Sequence, residues 1–153
     1  MKIGAVGLGN RIAHVFHELS QINQEAKLIS YVDPLPIGKD YAEKHNFFPK
    51  KTYVTLDEML ANEKLDLLMI GSPNHLHLEH IKIGLNAGIK IFAEKPIVVD
   101  EDQSFELAKL LGEFGQDQVL VGLVLRYSQH ARSVRGLIDK NSLGKIISIE
   151  ASE

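Results

Sequence analysis

Lys2-Ile3-Gly4-Ala5-Val6-Gly7-Leu8-Gly9, read together with Leu28-Ile29-Ser30-Tyr31-Val32-Asp33, sets the architecture of this chain. The first run is apolar and stops at glycine, as a buried parallel strand does. Gly7 and Gly9 then permit a turn. Without a Cβ at either position the backbone can pass close to a pyrophosphate, while the N–H groups opening the next helix supply donors and a positive dipole end. That helix is expected from about Asn10 to Ile22, with Ile12, Phe16, Leu19 and Ile22 on its buried face. A second strand ending in an acid completes the dinucleotide-binding fingerprint, in which Asp33 accepts hydrogen bonds from both adenosine ribose hydroxyls. A 2′-phosphate there would meet like charge.

The residues expected against the dinucleotide at this end are Gly7, Gly9, Asn10, Arg11, Ile12 and Asp33. Ile12 departs from the pattern, because it occupies the third glycine-type position, with Ala13 one residue later. A branched side chain must find room where the helix usually crosses the strand closely. Two glycines after a strand are often only a tight turn. It is Asp33 at the matching strand end that turns the motif into a dinucleotide reading.

Composition agrees without establishing this. The chain has 153 residues, enough to bury one good core, so a single complete domain is the default. With 44% hydrophobic residues, 24% charged and a net charge of -3, it has no basic excess to neutralise a phosphate backbone. No nucleic-acid partner is expected. No apolar run approaches the roughly 20 residues of a membrane span, and Met1-Lys2 leads into a core strand instead of a signal peptide. No membrane partner is expected either. The absence of cysteine excludes disulfides and thiolate metal sites and is compatible with a cytoplasmic protein.

Along the chain apolar strands alternate with amphipathic helices, which calls for a parallel sheet covered on both faces. Further strands are expected near 51–54, 66–70, 89–93 and 118–124. Helices are expected at about 39–46, 56–62, 75–87, 101–115 and 128–140, with Gly88 and Gly144 as C-terminal stops. Residues 145–153 read as a half-buried strand, with Ile147, Ile149 and Ala151 on one face and Ser148 and Glu150 on the other. A strand of this kind needs a sheet to join, and no later sequence provides one. The reading is therefore of a fragment of a longer protein.

Ser72-Pro73-Asn74-His75-Leu76-His77 follows the strand Leu67-Leu68-Met69-Ile70. In a doubly wound sheet the carboxyl end of that strand lies beside that of the first, at the switch point where ligands bind. The bland reading is a Ser-Pro-Asn turn with Asn74 as N-cap and solvated histidines. His77 and His80 share a helix face, as do His14 and His17, but no third ligand of fixed geometry accompanies them and no metal site is expected.

Glu94-Lys95-Pro96 follows the strand Ile89-Lys90-Ile91-Phe92-Ala93 and so reaches the same carboxyl edge. A lysine held there, near an acid and partly desolvated, can exchange a proton with a substrate hydroxyl, which makes Lys95 the catalytic candidate. In isolation the tripeptide would read as a surface salt bridge and a strand-ending proline.

Taken together, in this order and spacing, these islands resemble the glucose-fructose oxidoreductase / inositol dehydrogenase / rhizopine catabolism (Gfo/Idh/MocA) family of NAD(P)-dependent oxidoreductases. The resemblance spans essentially the whole chain: Gly7-Leu8-Gly9, Asp33, Ser72-Pro73-Asn74 with His77, Glu94-Lys95-Pro96, Arg126-Tyr127 and Leu143-Gly144-Lys145-Ile146. It implies that Lys95 contacts the substrate hydroxyl and the nicotinamide region, and that Ser72, Pro73, Asn74 and His77 lie along the cofactor. It also implies that Glu94 and Pro96 position the lysine, with a cis bond before Pro96. The family fold is a Rossmann-type doubly wound parallel α/β sheet followed by an α+β domain on an open antiparallel sheet. On that pattern residues 1–122 are the dinucleotide-binding domain, and residues 123–153 the crossover helix and first strand of a truncated substrate domain.

The implied activity of the full-length protein is that of a dehydrogenase moving a hydride between a nicotinamide and the hydroxyl-bearing carbon of a sugar, cyclitol or related polyol. This chain alone is expected to bind without turnover. Asp33 followed by Pro34, with no arginine nearby, favours NAD over NADP. A homo-oligomer is expected. Because function does not follow from fold, a non-catalytic dinucleotide-sensing or scaffolding module, or a structural subunit pairing its sheet with a partner, remains an alternative.

Overall fold

The computed structural model describes residues 1–150. The chain divides into two compact units, Met1–Gly122 and Leu123–Glu153. The first alternates strands and helices throughout: β1 (Lys2–Val6), α1 (Asn10–Ile22), β2 (Lys27–Val32), α2 (Lys39–Lys44), β3 (Lys51–Tyr53), α3 (Leu56–Asn62), β4 (Leu67–Ile70), α4 (His77–Asn86), β5 (Lys90–Ala93), α5 (Glu101–Phe114) and β6 (Val119–Val121). All neighbouring strands pair in parallel, in the order β3-β2-β1-β4-β5-β6. This is the doubly wound Rossmann order, with its switch point between β1 and β4.

The strands are short apolar runs because both sheet faces are covered. On one face Ile3, Ala5, Leu28 and Met69 pack against Leu8, Ile12 and Phe16 at and along α1. On the other, Val6, Val32, Leu68, Ile70 and Ile91 meet Met59 of α3, Leu78 and Ile81 of α4 and Leu107 of α5. Two helices of this first unit begin on side-chain caps. Thr55 accepts the Glu58 N–H at 3.1 Å while Glu58 accepts the Val54 N–H, and Asp100 accepts the Gln103 N–H at 2.8 Å.

Several expectations are corrected. Ile22 is 86% exposed, so the buried face of α1 ends one turn earlier, at Phe16 and the half-buried Leu19. The last strand covers only Val119–Val121, because the chain leaves the sheet at Gly122 and a 3₁₀ turn occupies Val124–Tyr127. A 3₁₀ turn over Asn74–Leu76 precedes α4, and the Asn74 side chain caps nothing.

In the second unit α6 (Gln129–Asp139) starts on the Ser128 hydroxyl, which accepts the Ala131 N–H. The left-handed residue just past its end is Asn141, at φ 53°, and not Gly144 as expected. Residues 145–150 form no strand, since no neighbouring strand pairs with them among the described residues, and Ile147 and Ile149 are exposed. Ala151 and the rest of the expected strand lie outside the described residues. No helix among the described residues is long and apolar enough to cross a membrane.

Candidate dinucleotide and catalytic site

The carboxyl ends of β1, β2 and β4 converge on one cavity of about 520 Å³. Gly7 and Gly9 line it at the turn, Asp33 at the end of β2, and Gly71, Ser72 and Pro73 at the end of β4. Val6, Val32, Pro34, Leu35, Ile37, Leu76 and His80 complete it. The turn depends on glycine at a specific place. Gly7 has φ +80°, and a Cβ there would overlap the backbone of Gly71 and Ser72. The next segment is docked in the same manner, since the Gly38 N–H donates to the Leu8 carbonyl at 3.0 Å and a Cβ on Gly38 would lie 2.7 Å from the Gly9 oxygen. Gly9 caps α1 with no side-chain acceptor, which leaves the first N–H groups of a 13-residue helix facing out beside the turn.

Asp33 is oriented by its own loop. Its Oδ1 accepts the Leu35 N–H at 2.8 Å, an Asx turn that fixes the carboxylate over the end of β2. Ile12, the residue at odds with the glycine pattern, is 1% exposed. Room for it exists because Gly71 has no side chain, and a Cβ at Gly71 would overlap Ile12 Cγ1.

His77 is a structural tie. It is 1% exposed; Nδ1 lies 2.7 Å from the Pro96 carbonyl and Nε2 lies 2.8 Å from the Ser72 carbonyl. It therefore holds the Glu94-Lys95-Pro96 turn to the end of β4, and it is not among the residues lining the cavity. The Lys95–Pro96 bond is cis. Glu94 is 8% exposed, and its Oε1 has no hydrogen-bond partner among the described residues, with Arg11 Nε 4.0 Å away. A buried acceptor without a donor is costly, so this oxygen is suited to a ligand donor. Lys95 and Pro96 are exposed, as are Asn10, Arg11 and Asn74. The partial desolvation expected for Lys95 is not supplied by the described residues.

The fold thus gathers Gly7, Gly9, Asp33, Ser72 and Pro73 around one cavity and connects Glu94 to Arg11. His80, Leu35, Ile37, Gly38 and Gly71 belong to the same arrangement and were not anticipated. Gly71, a glycine directly after an apolar strand, carried a legible signal; His80 carried only its i+3 spacing from His77. Among the described residues no group of three or more His, Cys, Asp or Glu is placed to hold a metal ion.

Residues 1–123 match the family described as an oxidoreductase family with an NAD-binding Rossmann fold, Gfo/Idh/MocA. The chain belongs to this family. Its curated relatives include the inositol 2-dehydrogenases of Corynebacterium glutamicum strain R, 20% identical over 147 residues, and of Rhizobium meliloti, 26% identical over 146 residues. These alignments cover 96% and 95% of this chain and 43% of each relative. Among solved structures, scyllo-inositol dehydrogenase from Lactobacillus casei with bound NAD(H) and scyllo-inositol is 29% identical with a TM-score of 0.78. That match covers 95% of this chain and 43% of the other. The chain therefore spans less than half the length of these relatives. Family membership makes residues 1–123 the part of the chain that carries the family's NAD-binding Rossmann fold.

Proposed function

We propose that this chain is the nucleotide-holding part of a dehydrogenase acting on a hydroxyl of a cyclitol, sugar or related polyol. The supporting observation is the convergence of Gly7, Asp33 and Ser72 on a single cavity at the switch point, with the orphaned Glu94 oxygen at the adjoining strand end. The relatives named inositol 2-dehydrogenase motivate the substrate class.

The glycine turn and the opening of α1 would hold the pyrophosphate, with Asn10, Arg11 and Ile12 forming that first helical turn. Asp33 would accept the adenosine ribose hydroxyls, and its uncompensated charge favours NAD over NADP. NAD supplies an acceptor for hydride when bound. Glu94 would take a hydrogen bond from the nicotinamide end, and Lys95, aimed by the turn that His77 ties down, would take the proton of the substrate hydroxyl. Ser72, Pro73 and Asn74 would flank the cofactor, with Pro96 fixing the turn.

Calorimetric titration of the chain with NAD and NADP tests the binding half. Saturable NAD binding, lost or strongly weakened when Asp33 is replaced by alanine, is the expected result. Failure to bind either dinucleotide overturns the reading.

A further inference from the structure

Much of the cavity's lining is apolar, and an ionisable side chain besides Asp33 stands among it. Pro34, Leu35 and Ile37, which follow Asp33 in the chain, line it together with Pro73, Leu76 and His80 from the segment after β4. Asp33 and His80 are the ionisable side chains among the lining residues. His80 is half-buried and fixed, with Nδ1 2.9 Å from the Ser72 hydroxyl. That bond occupies one ring nitrogen and leaves Nε2 for the cavity or for water. The Ser72 hydroxyl can turn to donate or accept, so either neutral tautomer is accommodated.

We propose that His80 makes adenosine binding proton-linked: as a neutral imidazole held by Ser72 it forms part of the apolar purine wall, and as an imidazolium it opposes entry of the base. This rests on reading the cavity as the dinucleotide site and adds to it a residue that senses protons.

The electrostatic setting supports it. Burial is the main influence on His80 and pushes its pKa below the ordinary histidine value of 6.5. Glu79 on the same helix opposes that, His77 reinforces it, and Asp57 from α3 opposes it again. Asp33 lines the same cavity. A flat, weakly polar base entering the cavity would remove water from the imidazole and disfavour its charged form further. By linkage, a ligand that lowers the histidine's pKa binds more weakly as pH falls through the pKa of the free protein. The affected window lies below pH 6.5, at and under the lowered pKa of the free protein, with a slope of at most about tenfold per pH unit for one linked proton; above it the affinity should be flat.

The test is calorimetry of the chain with ADP-ribose and with NAD, from about pH 8 down to about pH 5.5, in buffers of different ionisation enthalpy. Both ligands should lose affinity by the same factor toward acid, with proton release on binding, because the linked site is at the half they share. His80→Gln, which retains a partner for Ser72, should flatten the profile, and His80→Phe should do so as well. Proton NMR of the His80 ring gives a measurement independent of the variants: ADP-ribose should move its titration midpoint to lower pH. A wild-type slope that persists in His80→Gln, a wild-type affinity that does not change across the His80 midpoint found by NMR, or an unmoved midpoint overturns the inference while leaving dinucleotide binding intact. Absence of binding by both ligands at every pH overturns the site assignment itself, and the inference with it.

Discussion

Ile12 lies across Gly71, and the two residues exchange the sizes that a glycine-rich turn would ordinarily assign them. The usual small residue on the helix is replaced by a buried branched one, and the space is recovered from the end of β4. Gly71→Ala should therefore destabilise the chain by about 1–3 kcal/mol through overpacking, and Ile12→Ala by about 2–4 kcal/mol through a cavity. Combined, they should cost less than their sum, because alanine at 12 makes room for a methyl at 71. Rescue should be partial, since the same methyl would also sit 2.8 Å from the Gly7 oxygen. Urea unfolding of the four chains measures the coupling, and strict additivity would contradict the packing argument.

Asp33 performs two tasks that a pair of substitutions can separate. Asn at this position retains an oxygen for the Leu35 N–H but removes the charge; Ala removes both. Asp33→Ala should weaken NAD binding by about tenfold or more, the usual scale for a charge-assisted hydrogen bond. Asp33→Asn should weaken it less and narrow the gap between NAD and NADP more cleanly. Parallel titrations with the two dinucleotides provide the comparison; an unchanged NAD preference in Asp33→Asn would rule out charge as its source.

Removing His77 should be a stability lesion. His77→Phe removes the ring from between the Ser72 and Pro96 carbonyls, and a carbonyl left unpaired by the loss of its ring N–H costs about 1–3 kcal/mol. The melting temperature should fall markedly. Lys95→Ala, at an exposed position, should leave it nearly unchanged. Equal melting temperatures for both variants would show that the tie carries no load.

The edge strand β3 carries a pH signature. Glu63 accepts from both Lys51 Nζ and Tyr53 OH at 2.6 Å. The Lys51 bond, then the Tyr53 bond, hold its carboxyl below the ordinary 4.5, so its contribution to stability is present above that value and is lost as pH falls below it. On the alkaline side the same hydrogen bond, helped by burial and the carboxylate charge, pushes Tyr53 up to about 12 from 10.0. Stability from this group is complete below pH 10 and declines as pH rises from there through about 12. Ultraviolet titration should find Tyr53 ionising late in the wild type, and Glu63→Gln should bring it back toward 10.

Much of this was legible in the sequence because it rests on local chemistry. The α1 boundaries, the parallel order and the positions of Gly7, Asp33 and Glu94 at strand ends follow from apolar runs punctuated by glycine and acid. What escaped was set by contacts distant in sequence. Ile12 looked like a defect because Gly71 is 59 positions away. That the His77 ring also sits between the Ser72 and Pro96 carbonyls is announced by nothing near it in the sequence. The expected strand at 145–153 rested on alternation alone, and alternation cannot supply the neighbouring strand that residues 145–150 lack.

The docking of Gly38 onto Leu8 and Gly9 has a kinetic consequence. With the segment after β2 already fastened to the glycine turn, the acid that would grip a ribose and the turn that would grip phosphate form one prearranged unit. A ligand then meets a finished surface and has no loop to order, so encounter is governed by diffusion and orientation. Competing nucleotides should accordingly arrive at similar rates and be told apart by how long each one stays.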